Sequence, residues 1–320
     1  MILTVTVNAA VDKTLTVANL QLGHRHRAQQ GLVMAGGKGV NVARALKSLG
    51  EPVVASGLAG GRTGTQLLEC LSSEGILNDF VRIAAESRTS TAVVDPTSGV
   101  QTEINEYGPE VTGEEIGALL DKVRYLAGGV SSVVFAGSLP RRLENGFYAD
   151  AIREMNRRKV RTIVDSDGEP LRLALAAEPA LVFPNQREAE ALVGNEFQTD
   201  EDFQHALSTI ASMGADGVVI TLKTGCYALL PVGKGKGHMY RAWIPRIEAV
   251  SAVGSGDAFL AGFLSAHEAG QPTAQCLRTG LACGAANTQA MGAGVFDPRD
   301  VPRYAGLVEV QEISGFARAS

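Results

Sequence analysis

The sequence predicts an α/β fold: a mainly parallel central sheet with helices on both faces. Three observations carry this. Short apolar runs suited to buried strands, at 2–7, 53–56, 80–83, 133–136, 162–165, 181–183 and 217–221, alternate with segments of helical periodicity. Glycine is abundant, at 37 of 320 residues, which suits many tight turns and close backbone approaches. The composition, 45% hydrophobic and 20% charged, lets a chain of this length bury a large core.

Several function classes drop out early. A formal charge of −5 and a pI near 5.6 argue against a general nucleic-acid binder. Cys70, Cys226, Cys276 and Cys283 form no C-x-x-C pair, have no His at zinc-ligand spacing, and read as small buried apolar residues. The first residues alternate like a strand and lack the basic start of a signal peptide. No apolar run approaches the ~20 residues of a membrane span. The expectation is a chain with no nucleic-acid or membrane partner, in a reducing cytoplasmic setting.

In chain order, 2–7 is a buried strand and 8–12 a turn leaving it. Asp12 then lies near the carboxyl edge of the sheet, where ligands of open α/β sheets bind, although Asp is also an ordinary turn residue. The segment 15–27 is less regular. If it is extended, Arg25 and Arg27 face one side; an exposed basic hairpin is the plainer reading. A glycine-rich turn, Ala35-Gly36-Gly37-Lys38-Gly39, feeds a helix, and its N-terminus suits a polar or anionic ligand. It is not a Walker A loop, because Gly39 rather than Ser or Thr follows Lys38.

A helix is expected at 65–73. A hairpin of 88–94 with 101–105, turning through 96–99, reads as a lid that Arg88 opens. Further helices are expected at 111–126, capped by Thr112 with Glu115 three residues on, at 146–158 and at 202–213. A hairpin of 227–231 with 239–243 precedes the stretch Ala252-Val253-Gly254-Ser255-Gly256-Asp257-Ala258-Phe259. There a glycine turn becomes a buried helix reaching 269, with Asp257 at the junction. Asp257 is either a helix N-cap or a general base beside an anion hole. A small-residue helix at 272–291 should pack closely on it. The residues after Glu312 read as frayed.

Taken together, these stretches resemble the PfkB-type, ribokinase-like carbohydrate kinases over residues 1 to about 310. Two separated signatures carry the likeness, residues 36–44 and residues 253–263. Between them Gly137-Ser138-Leu139-Pro140, Asp165-Ser166-Asp167-Gly168 and Asn185-Gln186-Arg187-Glu188 follow in the family's order. The chain is similar to the hexose-phosphate branch, which includes 1-phosphofructokinases and tagatose-6-phosphate kinases, at 4–8 with Asp12, 57–61, 102–105 with Gly108-Pro109, and 244–246. It departs from that branch at Ala9, where Pro is usual, and at 222–225, where a Ser-Leu-Gly turn is usual.

The resemblance implies a single ribokinase-like domain over 1–312, with a β lid from about 12–34 and 88–107, and a tail at 313–320. It implies transfer of the γ-phosphoryl of ATP to a sugar hydroxyl, with Asp257 as base and the amides of Gly254, Ser255 and Gly256 on the phosphoryl oxygens. Asn185 and Glu188 are similar to the family's Mg²⁺-organising motif. Asp12, Gly36, Gly37, Asn41 and Ser138 resemble the sugar side. Lys38, Arg25, Arg27 and Arg88 are candidates for a sugar's own phosphate. The Lys223–Gly225 turn and Asn287 would border the nucleotide. A homodimer through the lid is implied as well.

Three rivals are weaker. A nicotinamide dehydrogenase needs a G-x-G-x-x-G turn after the first strand, and none is present. A non-catalytic sugar-phosphate sensor predicts a broken base or anion loop. A ribokinase or nucleoside kinase predicts no basic cluster near the lid.

Overall fold

Strands covered by helices on both faces need apolar residues at successive positions rather than alternate ones. β1 (Ile2–Thr6) is buried at all five positions, with Thr4 and Thr6 among apolar neighbours. It lies inside a ten-stranded sheet in a computed structural model that describes residues 1–231 and 236–317. β1 pairs in parallel with β4 (Val53–Gly60) on one side and β8 (Ser132–Ala136) on the other. β5 (Leu77–Ile83) closes one edge beside β4. Beyond β8 follow β9 (Arg161–Asp165), β10 (Leu181–Val182) and β11 (Gly217–Leu222), all parallel. Three antiparallel strands complete the other edge: β12 (Gly225–Pro231), β13 (Lys236–Trp243) and β14 (Glu309–Ala317).

Helices cover both faces, as the alternation predicts. α1 (Lys38–Ser48), α2 (Gly61–Ser73), α8 (Ser255–Glu268), α9 (Thr273–Asn287) and α10 (Val301–Ala305) bury one side. α3 (Gly113–Leu126), α4 (Phe147–Arg157), α5 (Gly168–Leu175), α6 (Gln186–Val193) and α7 (Asp200–Ser212) bury the other. Thr112 and Glu115 form the expected capping box on α3. The small residues of α9 do bring it close to α8: Gly262 abuts the Cys283 thiol. Cys226, Cys276 and Cys283 are buried and unpaired, and Cys70 is half-buried. Among the described residues no helix is long and apolar enough to cross a membrane.

The lid is a separate four-stranded sheet in the order β3-β2-β6-β7. Its strands are β2 (Ala10–Thr16), β3 (Gln30–Gly36), β6 (Arg88–Asp95) and β7 (Val100–Asn105). The expected hairpin of 88–94 with 101–105 is present. The expected turn at 8–12 is shorter than proposed. The chain enters β2 at Ala10 and pairs at once with β3 and β6, so Asp12 sits in a lid strand. The frayed tail is also corrected. Residues 313–317 continue β14 against β13, satisfying backbone groups that a bare edge would leave open. Residues 318–320 of the proposed tail lie outside the described residues. The helix expected over 272–291 is shorter, and α5 was not anticipated.

One carboxylate ties the lid's outer end together. Asp95 accepts from the backbone N–H of Asn19 at 2.9 Å, Leu20 at 3.2 Å and Thr97 at 2.9 Å, and from the Ser98 hydroxyl at 3.1 Å. These bonds, the Thr97 amide first, hold its carboxyl at about 2, well below the usual range. Asp95→Ala should therefore speed amide hydrogen exchange at residues 19, 20 and 97 while leaving β1 and β8 protected. Unchanged exchange at those three amides would contradict the anchoring role.

Candidate active site

The chain enters α8 through Gly254, whose φ of 76° is left-handed and favours glycine. A Cβ there would also overlap Ala293. The Ser255 hydroxyl donates to the Ala252 carbonyl at 3.0 Å and tightens the turn. Asp257 is the third residue of the helix, 7% exposed, and no side chain caps α8. The capping reading of Asp257 therefore falls away. Its carboxylate accepts instead from the Asn41 side-chain amide at 2.8 Å, on the helix that follows the other glycine turn.

A second pair of contacts gathers charge at the same place. The Lys38 ammonium donates to Asp165 Oδ1 at 2.7 Å, and Glu188 Oε1 is 3.7 Å from it. Asp165 ends β9, Lys38 opens α1 and Glu188 opens α6, so one strand end and two helix starts converge. Burial raises the Asp257 carboxyl to about 7, and Asp165 adds to the rise. Lys38 and the Asn41 bond oppose it, and Asp12 adds a smaller push upward. Burial works against the Lys38 ammonium, but Asp165 and Glu188 outweigh it and hold the proton more firmly than usual. Burial also pushes the Glu188 carboxyl up, with Lys38 opposing.

Asn185 and Glu188 prove to be partners in a capping box. Asn185 Oδ1 accepts from the Glu188 N–H, and Glu188 Oε2 accepts from the Asn185 N–H. The helix α6 itself is thus held by the two residues expected to organise a metal, and Glu188 keeps one oxygen, Oε1, directed to Lys38.

On the lid side, Asp12 packs so closely on Gly36 that a Cβ at Gly36 would overlap its carboxyl. Burial raises Asp12 to about 6, with Arg44 and Arg88 opposing. Arg88 Nε donates to the Asn8 carbonyl at 3.1 Å, and the Asn8 amide reaches the Ser138 hydroxyl at 3.1 Å. These contacts join lid to main sheet beside the cleft. Arg25 and Arg27 do not come here. They lie exposed on the loop joining β2 and β3, at the opposite end of that hairpin from Gly36, roughly 20 Å away along the strands. Lys38 is committed to carboxylates, so of the four expected phosphate-binding cations only Arg88 stands by Asp12.

A cavity of about 1440 Å³ runs from Lys38 and Asp257 along Asn185 and Glu188 to the Lys223–Gly225 turn and Ile244. It exceeds the ~300–1,000 Å³ usual for one small ligand. Ile247, Leu281 and Ala285 give it an apolar wall suited to a planar base. Asn287 is placed differently from expectation. It is wholly buried and donates to the Val253 carbonyl at 2.8 Å, so it fastens the turn before α8 from behind.

Sequence reasoning assigned no role to two residues that the structure brings in. Asp165 entered only as the first residue of a stretch matching the family's order, and Arg44 only as the last residue of the first signature.

The chain is similar to proteins of known kind along nearly its whole length. The model of the pfkB family carbohydrate kinases matches residues 4–299. A 1-phosphofructokinase of Borreliella burgdorferi is 32% identical over 313 residues, 98% of this chain and 99% of that one. Phosphofructokinase-2 of Escherichia coli, solved in complex with substrates and products, is 27% identical with a TM-score of 0.87, over 95% of this chain and 98% of that one. A structure from Thermotoga maritima described as a possible 1-phosphofructokinase is 25% identical with a TM-score of 0.88, over 98% of this chain and 100% of that one.

The two glycines of the anion loop should behave differently. Gly254→Ala meets both a left-handed backbone and Ala293, and should cost about 2–4 kcal/mol of stability. At Gly256 a Cβ would meet open space, so Gly256→Ala should stay within about 1 kcal/mol of the parent. Denaturant melts of both variants check this, and equal losses would contradict it.

Proposed function

The chain belongs to the pfkB family of carbohydrate kinases, and from that premise we propose that it transfers the γ-phosphoryl group of ATP to fructose 1-phosphate, giving fructose 1,6-bisphosphate. One observation carries the reading. The buried Asp257 carboxylate stands where the N–H groups opening α8 meet Asn41 of the sugar-side turn. The name of the Borreliella relative supports the choice of sugar.

In this reading Asp257 accepts the proton of the attacking hydroxyl. One carboxylate oxygen, Oδ2, is held by Asn41, which leaves Oδ1 for the substrate. The amides of Gly254, Ser255, Gly256 and Asp257 steady the migrating phosphoryl group. Lys38 serves that same charge rather than the sugar's own phosphate, because its ammonium sits among the carboxylates of the cavity. The nucleotide lies along the cavity toward Lys223 and Gly225, past Asn185.

Mg²⁺ fits these residues. Among the described residues no cluster of three acidic, His or Cys groups would cage a metal, and Mg²⁺ is commonly held by one or two carboxylates together with substrate phosphates. Glu188 Oε1 and Asp165 are such carboxylates, and the ion, when bound, neutralises charge on the β- and γ-phosphates.

Arg88 is the residue proposed for the 1-phosphate. Its side chain makes two bonds to backbone carbonyls, at Asn8 and at Glu106, and keeps further N–H donors. The lid is also proposed as the surface of a homodimer, since Val33, Val100 and Ile104 lie exposed on it. A solution mass of one chain, 33.5 kDa, would remove that part.

Asp257→Asn should fold normally and lose about 10²–10⁴ in kcat. Because the base must be ionised, kcat/KM of the wild type should fall as pH drops through about 7. Near-parental turnover in the variant would refute the mechanism. In a coupled ADP-release assay, fructose 1-phosphate should far outrun fructose, fructose 6-phosphate and tagatose 6-phosphate. Arg88→Ala should raise KM for fructose 1-phosphate by about ten- to a hundredfold. Equal rates on fructose and fructose 1-phosphate would exclude the phosphate subsite.

A further inference from the structure

Arg44 sits in the middle of α1 between Val40, Val42, Ala43, Ala45 and Leu46, all buried, and is itself only 6% exposed. A guanidinium placed so deeply needs a partner for each of its five N–H groups. All five are engaged. Nε and one Nη2 proton go to the two oxygens of Glu74, the other Nη2 proton to the Ala35 carbonyl, and the Nη1 protons to Asn41 Oδ1 at 3.1 Å and the Ala293 carbonyl at 2.8 Å. No donor is left for a substrate, so Arg44 does not itself bind one.

What it touches is the frame of the site. Ala35 precedes Gly36, on which Asp12 packs. Ala293 packs against Gly254 at the mouth of the anion loop. Asn41 is the partner of Asp257. A side-chain amide has one accepting end and one donating end. Arg44 takes the accepting end of Asn41, so the donating end is turned to Asp257, where it favours the ionised carboxylate.

We propose that Arg44 is a positioning residue for phosphoryl transfer: by fixing the orientation of the Asn41 amide it keeps Asp257 ready to accept a proton and leaves Oδ1 of Asp257 to the acceptor hydroxyl. This rests on the base role given to Asp257 above. The other charged groups that act on Asp257 are Asp165 and Asp12, which disfavour its ionisation, and Lys38, which favours it. None of the three depends on a bond from Arg44.

The test is the pH profile of kcat/KM for fructose 1-phosphate in four proteins. Arg44→Lys keeps the positive charge but loses the planar fork. Arg44→Met with Glu74→Leu removes the buried ion pair as a unit and keeps the fold measurable if Arg44→Lys does not fold. Leu119→Ala loosens the core on the other face of the sheet, away from the site. The acid limb should move to higher pH by about one to two units in the Arg44 variants, the worth of one hydrogen bond to the ionised form. It should stay in place in Leu119→Ala. A folded Arg44 variant with the parental limb overturns the proposal, and so does an equal shift in Leu119→Ala, which would show general loosening. A wild type with no acid limb overturns the base assignment and this inference with it; a limb that is present but unmoved overturns only the latter.

Discussion

Asp165, Glu188 and Asp257 line one cleft, with the Lys38 ammonium between the first two. Taking a carboxylate out of water disfavours its charged form, and a neighbouring carboxylate adds to that cost. Both act on Asp257: burial is the larger cause and Asp165 the smaller, and Lys38 and the Asn41 bond offset them only in part. The proton affinity of Asp257 is lifted into the range where a carboxylate can work as a base near neutral pH, which an exposed Asp is too acidic to do well.

The geometry that holds these groups comes largely from one helix. Lys38 and Asn41 are three residues apart on α1 and so share a face; Arg44 follows at the same interval. Lys38 reaches the strand ends, Asn41 reaches α8, and Arg44 reaches the lid strand and the loop behind Gly254. The lid is therefore not an appendage with its own site. Ala35 and Gly36, which end β3, lead directly into the helix that carries Asn41, the partner of Asp257.

Much of this was legible in the sequence, for a physical reason. Buried parallel strands, glycine turns and capping boxes are written within a few residues, and β1, β8, β9, α3 and the entry to α8 stand where such local signals put them. What was not legible depends on contacts between distant positions. Lys38 looked like a free cation because Asp165, its partner, lies 127 residues on. Asp12 looked like a turn residue because its strand exists only when β3 and β6 flank it. Residues 313–317 looked frayed because their pairing partner is β13. Asn287 looked like a nucleotide contact, yet its bond to Val253 shows how a residue in a matched stretch can serve the site from behind. Arg25 and Arg27 show the converse, since two arginines two apart have no address until the hairpin register is known.

In the proposed reaction the acceptor hydroxyl meets the Asp257 carboxylate in line with a phosphoryl group held at the start of α8. A crystal structure with fructose 1-phosphate and a non-hydrolysable ATP analogue should place the hydroxyl within about 2.6–3.2 Å of Asp257 Oδ1, with the γ-phosphate against the amides of residues 254–257 and the sugar's own phosphate at Arg88. A sugar bound with its free hydroxyl turned away from Asp257, or a γ-phosphate seated elsewhere in the cavity, would contradict it.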